Sequence, residues 1–99
     1  MRQLHAIITG HVQGVNFRMY TQQKARDLNI TGWVRNRPDG TVEVLAEGEQ
    51  DTLDQLHDWL HHGSPMATVD KVEVTWDAAE GQFKSFEIAY YSRRGGLYT

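Results

Sequence analysis

Short stretches in which apolar residues alternate, and two longer stretches in which they recur every three or four positions, follow one another in the order strand, helix, strand, strand, helix, strand. That order, with a further extended segment at the end, predicts an α+β domain on the split-βαβ, ferredoxin-like plan. Its sheet is an antiparallel one of four to five strands with two helices packed on one face. A chain of 99 residues has room for one core, burying roughly 60–65% of the unfolded surface, and none for a second catalytic domain.

Leu4 to Thr9 predicts the first strand, with Leu4, Ala6 and Ile8 on one face. Ile7 is apolar on the other face, as in a central strand. Gly10 and Gly14 punctuate the chain, and either can take a positive φ. From Phe17 the period becomes helical: Phe17, Thr21, Ala25 and Leu28 share a stripe, and Gln22, Gln23, Arg26 and Asp27 face away. Asn29 suits the left-handed residue after the helix, and Ile30 the apolar contact that follows it. Ile30 to Asn36 is the second strand and Val42 to Glu47 the third, joined by Arg37-Pro38-Asp39-Gly40, in which proline fixes one turn residue and glycine supplies another. Gly48, Glu49 and Asp51 open the second helix, whose buried stripe is Leu53, Leu56 and Leu60 and whose close is His61, His62 and Gly63. Ser64-Pro65 breaks the chain. Val69 to Trp76 is the fourth strand, Asp77 to Gln82 a turn, and Phe86, Ile88 and Tyr90 mark the last extended segment. Residues 1–90 form one domain on this reading, and Tyr91 to Thr99 a loose tail.

Composition excludes several function classes. A net charge of −3 with a pI near 5.9 argues against a general nucleic-acid binder, which carries a basic face. With no cysteine there is no disulfide, no thiolate nucleophile and no zinc–sulfur site, so a reducing compartment is compatible. The apolar part of MRQLHAIITG is too short and interrupted for a signal peptide, and no apolar run is long enough to span a bilayer. A cytoplasmic monomer that engages neither nucleic acid nor membrane is expected.

The stretch that carries chemistry is Gly10 to Arg18, GHVQGVNFR. It delivers the chain from a strand into a helix N-terminus, where unpaired amides and the positive end of the helix dipole favour an anion. Arg18, beside the buried stripe in the first turn, adds a forked cation suited to a phosphoryl group. A right-handed crossover makes the first two strands parallel. Asn36 should then share a sheet rim with the loop, about 10 Å away across the intervening strand. A phosphoryl group and a water fill such a gap.

GHVQGVNFR followed by GWVRNRPDGTVEV, Gly32 to Val44, resembles the acylphosphatase family, whose pattern is similar to G-x-V-Q-G-V-x-F-R and then G-W-V-x-N-x-x-D-G-x-V. Weaker likeness runs through GSPMATVDKVEV and FEI to about Tyr90. His11 stands where other members often have arginine or another polar residue, and Asn16 occupies a variable place. The resemblance implies an enzyme that hydrolyses acyl phosphates to carboxylate and inorganic phosphate with no metal, cofactor or covalent intermediate. It implies that Arg18 binds phosphate and Asn36 orients the attacking water, and that the amides of Val12, Gln13, Gly14, Val15, Asn16 and Phe17 complete the cradle. Phosphate would be both product and inhibitor.

The residue types suit that chemistry. The leaving carboxylate is a stable anion that hardly needs a proton, so charge stabilisation and placement of water are what remain. An asparagine amide can accept from a water and donate to a phosphoryl oxygen, but it is too weak a base to take the proton. Gln13 and Gly14 either touch the ligand or hold the loop's shape, and Pro38, Asp39 and Gly40 read as hairpin chemistry. His57 and His61 have the spacing of a zinc pair but no evident third ligand, and read as solvent-facing. Trp33, Trp59 and Trp76 read as packing residues, because RNA-binding domains of this plan carry aromatic motifs that the first strand here lacks. The rival class is a non-catalytic anion- or partner-binding module built on the same loop.

Overall fold

The computed structural model describes residues 1–90 together with the backbone of Tyr91, Leu97 and Tyr98. Its elements are β1 (Arg2–His11), α1 (Phe17–Asp27), β2 (Thr31–Asn36), β3 (Val42–Gly48), α2 (Gln50–Leu60), β4 (Thr68–Ala78), β5 (Phe86–Ile88), β6 (Tyr90–Tyr91) and β7 (Leu97–Tyr98). β1 to β5 form one sheet in the order β4-β1-β3-β2-β5.

The pairing of β1 with β3 and β4, and of β3 with β2, is antiparallel. Hence β1 and β2 run the same way with β3 between them, and His11 and Asn36 end on one rim. β5 lies parallel to β2, so the sheet is mixed rather than antiparallel throughout. The cause is a crossing: β4 and β5 occupy opposite edges, and the chain between them traverses the sheet on the face away from the helices. There the Gln82 amide donates to Glu47 Oε1 at 3.1 Å, and Glu47 is 1% exposed. The crossing returns the chain toward the rim that carries Asn36. The turn expected from Asp77 starts later, because Asp77 and Ala78 pair with Gln3 and Arg2 and prolong β4.

The core lies between the helices and one face of the sheet, where Leu4, Ala6, Ile8, Val34, Val42, Val44 and Ala46 meet Phe17, Ala25, Leu53, Leu56 and Leu60. β1 has a neighbour on each side, as its two apolar faces imply. α1 ends as its sequence predicts: Asn29 has φ 58°, its amide donates to Arg26 O at 3.0 Å, and the Ile30 amide donates to Ala25 O at 2.8 Å. These are the two bonds of a Schellman close. The tail expected from Tyr91 to Thr99 falls largely outside the described residues; within them, Tyr90 and Tyr91 pair antiparallel with Tyr98 and Leu97.

Two contacts give predictions about stability. Gly63 has φ 70°, and a Cβ there would come 2.1 Å from Phe17 Cε2. Phe17 is 1% exposed and begins α1, with its ring 5.9 Å from that of Trp59. Gly63→Ala therefore both strains a left-handed residue and displaces the ring that seats the helix start. A cost of about 2–4 kcal/mol is expected, read as a melting temperature lower by roughly 10–20 °C.

On the open face, Glu43 Oε2 lies 2.6 Å from His5 Nε2, and Glu43 Oε1 accepts from Arg35 Nε at 2.6 Å. Burial pushes the Glu43 carboxyl upward, but the hydrogen bonds from His5 and Arg35 and the Arg35 charge outweigh it. The carboxyl is held below its ordinary value of 4.5. A carboxylate so depressed contributes stability above its unfolded pKa and loses it as pH falls through the folded one. Glu43→Gln should therefore be less stable at neutrality and lose less of its remaining stability than wild type below about pH 4.5, as melts across that range will measure.

Candidate active site

The strand-to-helix loop forms its cradle by alternation of handedness. Gly14 has φ 75° and Asn16 φ 62°, while Val15 and Phe17 between and after them have no positive φ. Successive amides in such an alternation converge into a concavity that binds anions. A Cβ on Gly14 would meet nothing within 4 Å, so glycine is there for its backbone and not for space. Asn16 precedes α1 without a side-chain cap bond. The Tyr20 amide donates to Asn16 O at 3.1 Å, which starts the helical ladder and leaves the amides of Phe17, Arg18 and Met19 directed out of the helix start.

Loop and hairpin are fastened to each other. The Gln13 side-chain amide donates to Arg37 O at 2.8 Å and to Thr41 O at 2.9 Å, and both acceptors belong to the connection between β2 and β3. The Gln13 side chain thus holds the loop against the hairpin. Val15 packs against the core.

A cavity of about 230 Å³ opens on this rim. Val12, Gly14, Asn16, Phe17 and Arg18 line one side of it, and Asn36, at the end of β2, lines it as well. Gln13 and Val15 do not. The loop and Asn36 therefore meet as the topology predicted. Met19, Ile88 and Tyr90 complete the wall, and sequence reasoning assigned none of them to the site. Tyr90 carried a faint signal, as the aromatic residue two places beyond Ile88 on a segment returning to this rim.

Asn36 Oδ1 is buried and no group among the described residues donates to it. The Arg18 guanidinium carbon sits 5.6 Å from the centroid of the Tyr90 ring, and among the described residues no carboxylate lies within ion-pair distance of it. Among the described residues no histidine, aspartate or glutamate lines the cavity. His11 is exposed at the end of β1 and is not one of the residues lining the cavity. The rings of His57, on α2, and His61, just after it, lie 5.1 Å apart and tilted by 42°, and among the described residues no three histidine, aspartate or glutamate side chains converge as metal ligands.

The acylphosphatase family profile matches residues 4–88. The chain belongs to the acylphosphatase family. The acylphosphatase of Marinobacter nauticus is 48% identical over 86 residues, which cover 87% of this chain and 94% of that one. The acylphosphatase of Acaryochloris marina is 49% identical over 85 residues, 86% of this chain and 90% of its own. The crystal structure of the acylphosphatase from Bacillus subtilis superposes with a TM-score of 0.88 at 39% identity, covering 91% of this chain and all of that one. The acylphosphatase family accounts for the ferredoxin-like plan, and the chain is an enzyme of acyl phosphate hydrolysis rather than a passive anion-binding module. Among the described residues no helix is long and apolar enough to cross a membrane.

Proposed function

We propose that this acylphosphatase hydrolyses acyl phosphates by in-line attack of a water that Asn36 positions, on a phosphoryl group held by Arg18 and the amides of Val12 to Phe17. The observation that carries the reading is the buried Oδ1 of Asn36, unpartnered among the described residues, on the wall of the cavity that Arg18 also lines. A buried carbonyl oxygen left without a donor is costly, and a water that donates to it would be fixed with its lone pair free to attack. The water oxygen bonds to phosphorus while the bond from phosphorus to the acyl oxygen breaks, and its electron pair leaves with the carboxylate. With no histidine or carboxylate among the described residues that line the cavity, the proton of the water passes to a phosphoryl oxygen of the substrate itself. The loop amides and Arg18 neutralise the charge on the equatorial oxygens, which is the main demand of phosphoryl transfer.

We also propose that the enzyme works as a monomer in the cytoplasm. The loop, Arg18 and Asn36 line the cavity together within one chain, and a cysteine-free sequence suits a reducing compartment. No metal enters this scheme, since the leaving group is already a good one and the cation is supplied by Arg18. Turnover of benzoyl phosphate in excess chelator tests that scheme: an undiminished rate, with competitive inhibition by inorganic phosphate, is expected, whereas activity lost to chelator and restored by a divalent cation would refute it.

A further inference from the structure

We infer that Tyr90 is a positioning residue for Arg18, holding the cation over its ring while leaving the positive charge to the phosphoryl group. The inference rests on Arg18 as the phosphate ligand and adds what keeps that ligand in place. A guanidinium presents its five N–H donors around its rim and its π-surface above and below. A carboxylate partner would take rim donors and offset the positive charge. An aromatic ring attracts the cation through its π-face without cancelling the positive charge. Arg18 has the second kind of partner: its guanidinium carbon lies over the Tyr90 ring, 5.6 Å from the centroid, no carboxylate among the described residues is within ion-pair distance, and both residues line the same cavity.

The chain fixes the ring as well as the cation. β5 runs parallel to β2 with Ile88 opposite Val34, the Ala89 amide donates to Val34 O at 2.8 Å, and β6 packs against β2. Two residues further along each strand come Tyr90 and Asn36, so the same register that carries Asn36 to the rim carries Tyr90 beside it. Pairing of Tyr90 with Tyr98 and of Tyr91 with Leu97 holds the backbone from the other side. Tyr90 therefore ties the position of Arg18 on α1 to that of Asn36 on β2. It is 48% exposed, so its ring contributes little to the core, and a structural role alone would leave phosphate binding unmoved.

The test compares Tyr90→Leu with Tyr90→Phe, each alone and combined with Arg18→Ala, reading the inhibition constant of inorganic phosphate, kcat/KM on benzoyl phosphate and the melting temperature. Tyr90→Leu is expected to weaken phosphate inhibition and lower kcat/KM by about fivefold to tenfold, the range of a partly exposed cation–π contact. Tyr90→Phe, which keeps the ring, should recover most of that loss. In the Arg18→Ala background, Tyr90→Leu should cost nothing further in kcat/KM. A Phe variant as impaired as the Leu variant would assign the effect to the hydroxyl and overturn the proposal, as would an undiminished Leu effect without Arg18. If Arg18→Ala alone left phosphate inhibition intact, the phosphate-ligand reading itself would fail, separately from Tyr90.

Discussion

Arg18→Ala is expected to reduce kcat/KM for benzoyl phosphate by roughly 10³–10⁵-fold, the span seen when a single arginine is the cation of a phosphoryl-transfer site. Arg18 opens α1 beside the cavity, and its guanidinium has an aromatic face for a partner and no neighbouring carboxylate among the described residues. Its charge is thus undiminished toward the ligand. Because it binds the phosphoryl group in ground state and transition state alike, inhibition by inorganic phosphate should disappear together with the rate. The fold should persist, because the first turn of α1 is seated by Phe17, Gly63 and Trp59 rather than by Arg18. Steady-state kinetics with phosphate as competitor, beside a thermal melt, reads all three quantities.

Asn36→Ala should behave differently. Its loss removes a group that acts on the water and on the transition state, so kcat should fall by about 10²–10³-fold, the usual cost of one preorganised hydrogen-bonding group. The cradle of loop amides and Arg18 would be untouched, and phosphate inhibition should stay within about threefold of wild type. The variant removes an Oδ1 that no described protein group pairs, so its stability should stay close to that of the wild type. A variant that lost phosphate binding in parallel with rate would move Asn36 from the water to the phosphoryl group.

Much of this was legible in the sequence because the deciding interactions are local. The change of period at Phe17, the Asn29 close of α1 and the Pro38-Asp39-Gly40 turn each depend on neighbours a few residues away. The turn is held by Asp39 Oδ1 accepting from the Thr41 amide at 3.0 Å and hydroxyl at 2.6 Å. The rim shared by the loop and Asn36 followed from connection handedness alone. What stayed hidden depends on distant contacts. Gln13 could not be assigned to holding the loop against the hairpin because its acceptors lie 24 and 28 residues away. The parallel pairing of β5 depends on which edge of the sheet the chain reaches after β4, and the burial of Glu47 depends on the crossing segment that takes it there. Tyr90 escaped notice for the same reason: an aromatic residue at the end of a short strand becomes part of the site only once that strand lies against β2.

The account rests on water attacking phosphorus, held in the cradle, rather than the acyl carbon. Hydrolysis of benzoyl phosphate in heavy-oxygen water, with enzyme in excess so that each substrate molecule turns over once, tests that claim most directly. One labelled oxygen in inorganic phosphate and none in benzoate is the result predicted; label in benzoate would contradict it.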